Sequence, residues 1–177
     1  MIVTGANSGI GYEAALALAK RKADVVLACR NQDKARAAAD RIRKEAPTAR
    51  LELIPLDLSD LSSVQAFADS FREGRSQLNA LINNAGVMAL PKRTTSDGFE
   101  MQFGTNHLGH FALTGHLLDL LLATPGSRVV NVSSIAHKFG KMRFPRSSRL
   151  LSLCMATSTS VPRASRDGMV LRRSSSP

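Results

Sequence analysis

Thr4-Gly5-Ala6-Asn7-Ser8-Gly9-Ile10-Gly11 is the part of this chain whose residue types and spacing most clearly prepare for chemistry. It follows a short apolar start, Met1-Ile2-Val3, and runs straight into Ala14-Ala15-Leu16-Ala17-Leu18-Ala19, a strong helix former. A strand, a glycine-rich turn and a helix N-terminus in that order make an anion cradle. Glycines let the backbone turn tightly and leave no Cβ between the helix and a bound pyrophosphate. The free N–H groups and the positive end of the helix dipole then face the phosphates. The spacing here is G-x-x-x-G-x-G, a variant of the dinucleotide fingerprint G-x-G-x-x-G. Gly5, Asn7, Ser8, Gly9, Ile10 and Gly11 are therefore the candidate cofactor-binding residues of the turn.

Other polar residues follow apolar runs. Arg30 stands at about the distance from the glycine turn where an acidic residue would hold a ribose 2′-hydroxyl. Positions 29 and 30 are Cys and Arg, so no carboxylate is present to repel a 2′-phosphate, and the planar guanidinium suits one. Such a charge-assisted hydrogen bond contributes about 1.5–3 kcal/mol; an ordinary solvated charge is the plainer alternative. Asn83-Asn84-Ala85-Gly86 closes a further run, at the strand end where open α/β sheets place ligands. Small residues there would let backbone approach a ribose, against the alternative of a simple turn. His107 and His110 have helical spacing, but no third ligand accompanies them, so packing or surface roles are expected rather than a metal site. Ser133-Ser134 is common loop chemistry after a strand, and without a Gly-x-Ser-x-Gly elbow a hydrolase triad is disfavoured.

These residues need elements to hold them. Strand candidates are Ile2–Thr4, Asp24–Cys29, Arg50–Pro55, Ala80–Asn83 and residues 128–133; helix candidates lie near 10–22, 32–45, 61–73 and 99–123. Apolar strands alternating with helices predict βαβ units and a parallel sheet covered on both faces. The expected fold class is α/β, a doubly wound, Rossmann-like parallel sheet. Ser59 or Asp60 is expected to cap the third helix, and Ser96 or Asp97 the fourth. After about Phe144 neither period holds, and nine of the last 37 residues are serine. The expected organisation is an incomplete nucleotide-binding domain over residues 1–144 and a disordered, basic Ser/Arg-rich tail over 145–177.

A chain of 177 residues is long enough for one domain with a sizeable core. Its net charge of +10 is unevenly spread: residues 1–140 hold 16 basic and 13 acidic side chains, residues 141–177 hold 8 and 1. The basicity thus belongs mostly to residues 141–177, whose one aromatic residue is Phe144, and no specific nucleic-acid interface is expected. The most apolar stretch, residues 117–123, is short and carries Asp119, so no transmembrane segment is expected, nor is a leader visible. Cys29 and Cys154 fit no disulfide framework or metal spacing. A reducing, cytoplasmic setting is the expectation, and nothing assigns an oligomeric state.

The glycine turn, Ala28-Cys29-Arg30, Leu56-Asp57-Leu58-Ser59, Asn83-Asn84-Ala85-Gly86, Asn106-His107-Leu108-Gly109-His110-Phe111 and Val130-Asn131-Val132-Ser133-Ser134 carry a specific resemblance. Over roughly residues 1–144 the chain resembles the short-chain dehydrogenase/reductase family, particularly members similar to retinol dehydrogenases. The resemblance implies strand order 3-2-1-4-5-6-7, here truncated after the fifth strand. It implies NADP(H) as cofactor, with Arg30 at the 2′-phosphate, Asp57 at the adenine, Leu58 beside it among the cofactor-binding residues, and Asn84, Ala85 and Gly86 at the adenosine ribose. Capping of the 60s helix is a competing, compatible role for Asp57. The implied reaction is hydride exchange with a small-molecule alcohol or carbonyl, retinoid- or lipid-like. Ser134 would hydrogen-bond the reacting oxygen, while Asn106 would bend its helix and hold a water of the proton relay.

The family's acid/base pair is Tyr-x-x-x-Lys on the next helix, where the lysine charge one turn away lowers the phenol pKa. The single tyrosine of this chain is Tyr12, and no lysine follows Lys141. The corresponding segment reads Arg149-Leu150-Leu151-Ser152-Leu153-Cys154-Met155. Three readings stay open: an oxidoreductase slowed roughly 10²–10⁴-fold or more by the missing acid/base chemistry, a nucleotide-binding pseudoenzyme, or an incomplete gene product. A sheet ending at the fifth strand would also expose an apolar edge.

Overall fold

The computed structural model describes residues 1–135; the boundary expected at 144 and the tail over 145–177 lie outside the described residues. Five strands alternate with helices: β1 (Ile2–Thr4), α1 (Gly9–Lys20), β2 (Asp24–Cys29), α2 (Gln32–Glu45), β3 (Arg50–Pro55), α3 (Leu61–Arg72) and β4 (Ala80–Asn83). A segmented helical stretch follows: α4 (Met101–Phe103), a π-helical turn (Gly104–Leu108), α5 (Gly109–His116) and α6 (Leu118–Ala123), leading to β5 (Arg128–Asn131). All strand pairs are parallel and the order is β3-β2-β1-β4-β5. This is the expected doubly wound, Rossmann-like sheet.

Helical stripes decide which face each helix covers. Ala35, Ala38, Ala39 and Ile42 of α2 recur at i, i+3, i+4 and i+7 and are buried, as are Val64, Phe67, Ala68 and Phe71 of α3. Strand alternation sends Val3 and Leu27 to the side of α1 and α2, and Ile2, Val26, Ala28 and Ile54 to the side of α3, α5 and α6. Each large aliphatic or aromatic side chain so buried contributes about 1.5–3 kcal/mol. β1 lies between the two clusters and is buried throughout.

The single helix expected over 99–123 is broken twice, by the π-helical turn and at Leu117 (φ −100°, ψ 3°). Its cap is neither Ser96 nor Asp97. Glu100 takes that place, accepting hydrogen bonds from the Gln102 and Phe103 amides. Asp97 instead reaches back to accept the Leu61 N–H at 3.0 Å, beside Asp60, which caps α3. β5 ends at Asn131 rather than at 133, although the Val132 N–H still donates to the Asn83 carbonyl.

Candidate functional site

β1 pairs with β2 on one side and β4 on the other, so the connections leaving β1 and β4 diverge and open a crevice at the carboxyl ends of the strands. A cleft of about 350 Å³ occupies that place. Its walls come from four strand ends: Gly5, Asn7 and Ser8 after β1; Ala28, Cys29 and Arg30 at β2; Leu56, Asp57 and Leu58 after β3; Asn84, Ala85, Gly86 and Val87 after β4. Thr105 of the π-helical turn closes one side. Gly9 and Ile10 stand exposed at the start of α1, Ile10 at 70 %, and Gly11 is buried beneath the turn.

The turn is built for close approach. Gly5 has φ +66°, and a Cβ there would meet the Ala85 Cα at 2.9 Å. A Cβ on Gly11 would run into Asn84 Nδ2 and the Gly5 carbonyl. Ser8 precedes α1 with extended backbone and gives no side-chain cap; the first helical amide bond is Tyr12 N–H to the Ser8 carbonyl. The first-turn amides are thus not met by a side-chain cap, and the cradle fits a pyrophosphate.

Thr4 ties this turn to the next strand end. Its carbonyl accepts from Asn84 Nδ2 at 2.9 Å, and its hydroxyl accepts the Asn84 and Ala85 amides at 2.8 and 2.9 Å. Asn106 holds the far wall: its Oδ1 accepts the Val87 N–H at 2.8 Å and its Nδ2 donates to the Val87 carbonyl at 2.9 Å. It lies in the π-helical turn, and its side-chain amide is bonded to Val87 at both ends.

At the opposite end Arg30 is exposed, with its guanidinium 4.0 Å from Asp57 Oδ2. Asp57 Oδ1 accepts from both the amide and hydroxyl of Ser59, at 2.9 and 2.6 Å. Asp57 therefore orders the segment before α3 and leaves the capping of that helix to Asp60. Cys29 is buried against the cleft; burial pushes its thiol pKa up, partly offset by the Ala6 and Asn7 amides. Ser134 lies exposed three residues beyond β5, outside the cleft lining. Burial lowers the pKa of both His107 and His110, and among the described residues no group of three His, Cys, Asp or Glu could hold a metal ion.

Val87, Thr105, His110 and the side chain of Thr4 join or support the cleft without a signal of their own in the sequence. The Thr4 hydroxyl and His110 meet across 106 residues of sequence, and local periodicity carries no trace of such a contact. The one usable signal was the i, i+4 spacing of Asn106 and His110, which sets the ring beneath the Asn106 carbonyl.

Comparison with known proteins agrees with this geometry. The short chain dehydrogenase family profile matches residues 1–147. Human retinol dehydrogenase 13 is 51% identical over 144 residues, 81% of this chain and 44% of that protein. Among solved structures, an uncharacterized protein from Mycobacterium paratuberculosis is 51% identical with TM-score 0.65, covering 77% of this chain and 46% of that one. A short chain dehydrogenase from Shigella flexneri 2a str. 301, complexed with NADP, is 29% identical with TM-score 0.67, covering 79% and 60%. The chain spans a little under half the length of the curated relatives it matches. Among the described residues no helix is long and apolar enough to cross a membrane.

Proposed function

Since this chain belongs to the short chain dehydrogenase family, we propose that its cleft binds NADP(H) for hydride exchange with a small-molecule alcohol or carbonyl, retinoid- or lipid-like. The observation that carries this reading is one cleft joining a glycine turn without a side-chain cap to an exposed arginine, Arg30. Gly5, Asn7, Ser8, Gly9, Ile10 and Gly11 would hold the pyrophosphate and Arg30 the 2′-phosphate. Asp57 and Leu58 would meet the adenine, and Asn84, Ala85 and Gly86 the ribose. When bound, the cofactor supplies the hydride chemistry. Ser134 would orient the reacting oxygen, and Asn106, fixed to Val87, would shape the wall beside it and support a relay water. The name of the human relative and the NADP of the Shigella structure support the substrate class and the cofactor.

One observation favours a second reading. Tyr12, the single tyrosine, is buried in α1 outside the cleft lining, with the Arg41 guanidinium 4.2 Å from its ring centroid. It is not placed to donate a proton in the cleft, and these 177 residues contain no Tyr-x-x-x-Lys. Nucleotide binding with little or no turnover, as in a pseudoenzyme or an incomplete gene product, is the corresponding activity.

Fluorescence titration with NADPH and NADH decides the matter. The expected result is tighter binding of NADPH, with Arg30→Asp weakening it by roughly 10–100-fold, the equivalent of one charge-assisted hydrogen bond, and NADH little changed. Binding of neither nucleotide at millimolar concentration overturns the proposal. Steady turnover of a retinoid aldehyde at ordinary enzyme rates would remove the second reading.

A further inference from the structure

Three elements converge on the hydroxyl of Thr4, which is fully buried: the end of β1, residues 84–86 after β4, and α5. The hydroxyl oxygen accepts the Asn84 N–H at 2.8 Å and the Ala85 N–H at 2.9 Å, which fills both its lone pairs. Its own hydrogen has two destinations, His110 Nε2 at 2.9 Å and the Ile82 carbonyl at 3.4 Å, and the shorter contact takes it. Nε2 must then be bare. On the other side of the ring, His110 Nδ1 lies 2.9 Å from the Asn106 carbonyl, which can only accept, so Nδ1 carries the hydrogen. Both ends of the network assign the same neutral tautomer.

We propose that His110 is a positioning residue: its neutral ring, through the Thr4 hydroxyl, locks residues 84–86 of the cleft to the π-helical turn that carries Asn106, and protonation of the ring releases that lock. A proton on Nε2 points an N–H at an oxygen whose lone pairs are already used. Either the Asn84 or the Ala85 amide must then give way, and both belong to the cleft wall. On the far side, the Nδ1–H bond to the Asn106 carbonyl persists in the protonated ring, so Asn106 and its partner Val87 keep their places and the release is confined to the Thr4 side. The consequence for coenzyme affinity rests on the NADP(H) reading; the lock itself does not.

Burial is the main cause that keeps the His110 ring neutral; the Asn106 carbonyl, which accepts from the ring, works the other way. His107, stacked on Phe103 at a centroid distance of 5.3 Å, is the ionisable neighbour whose charge opposes a second one here. β1 and residues 84–86 bring no ionisable side chain. α3, packed on the same side, carries Asp69 and Arg72, both exposed, with Arg72 turned 3.5 Å from Asp119.

The test uses the whole chain without coenzyme. Nitrogen-15 shifts of the histidine rings should show His110 protonated at Nδ1 and bare at Nε2. Amide exchange at Asn84 and Ala85 is then followed as the pH is lowered from about 7.5 to about 5, across the ordinary histidine range. Relative to the amides of β2, their protection should fall at least about tenfold in the wild type, as expected for a local opening. His110→Gln, whose amide oxygen accepts the Thr4 hydroxyl but does not titrate, should stay within about twofold. An Nε2-protonated ring, or the same pH profile in both proteins, overturns the proposal. Should the variant fail to fold, the wild type still decides: the midpoint of amide release must coincide with the titration of the His110 ring, and a separate midpoint overturns the lock. NADPH affinity is read as the difference between wild type and variant, because the 2′-phosphate itself titrates near about pH 6. Amide release with no NADPH binding at any pH would sink the coenzyme reading and leave the lock standing. NADPH binding with unchanged amides would do the reverse.

Discussion

At the scale of single residues, two glycines show what a sequence does and does not reveal. Gly11 sits in a recognisable turn, and its need for a bare α-carbon could be read from spacing alone. Gly109 sits in a helix, where glycine ordinarily costs stability. Its reason is tertiary: a Cβ would meet the Leu58 carbonyl, and the Leu58 Cβ at 2.9 Å. Backbone cannot yield as a flexible side-chain tip does, so α5 and the segment bearing Asp57 would have to part. Gly109→Ala is predicted to destabilise the protein by about 1–3 kcal/mol, the usual cost of overpacking, despite the gain in helix propensity. Chemical denaturation measures it, and an unchanged or raised midpoint would refute the assigned role. The glycine turn was legible because its shape is backbone geometry, which leaves glycines at fixed offsets. Thr4 and His110 were not, because a hydroxyl and an imidazole acquire meaning only from partners in other strands and helices.

Elements were legible in proportion to their regularity. β1 through β4 match the apolar runs, and α2 and α3 match their stripes, since burial of one face leaves a period in the sequence. The stretch after β4 departs from the single expected helix for two physical reasons. Thr94 and Glu100 form an antiparallel bridge, and Gly98 at φ +83° turns the chain between them, so the helix starts later than its polar residues indicated. The π-helical turn then inserts an extra residue into the helical spiral, and the apolar pattern continues across it as though unbroken. Helix ends give a sharper test. α1 closes with Lys22 N–H to Ala19 and Ala23 N–H to Leu18, a Schellman motif with Lys22 at φ +62° where glycine is usual. Lys22→Gly is predicted to raise stability by about 0.5–1 kcal/mol, because relief of the left-handed strain exceeds the entropy glycine adds. Asp60→Ala, which removes acceptors for the Ser62 and Ser63 amides, should lower it by about 1 kcal/mol. Thermal melts that move both variants the same way would show that these ends are not set by their caps.

For the whole molecule, the placement of ionisable groups predicts how the fold responds to acid. The two apolar clusters on either side of the sheet contain no carboxylate; His110, bonded to β1, is the titratable histidine among the buried residues described. Its folded pKa lies below the ordinary histidine value, chiefly through burial, and that of His107 is lowered by the same cause. The unfolded chain therefore takes up these protons first. Stability is undiminished above about pH 6.5 and falls as the pH drops through that value towards the folded pKa. The surface carboxylates act in a separate, lower window. Glu45 is held down by its hydrogen bond from Lys20, Asp60 by the Ser62 hydroxyl, and Glu100 by the amide of Gln102. Their contribution is present above the ordinary carboxylate range of about 4 and is lost as the pH falls through their lowered values. A plot of melting temperature against pH should thus decline in two stages, one below about 6.5 and one below about 4. His110→Gln should flatten most of the first stage, leaving the share of His107, and Asp60→Asn should make the second shallower without touching the first. A melting temperature constant from about pH 7 to about pH 5 in the wild type would mean that the buried ring accepts its proton at no cost, and the neutral imidazole would then not be what joins β1 to α5.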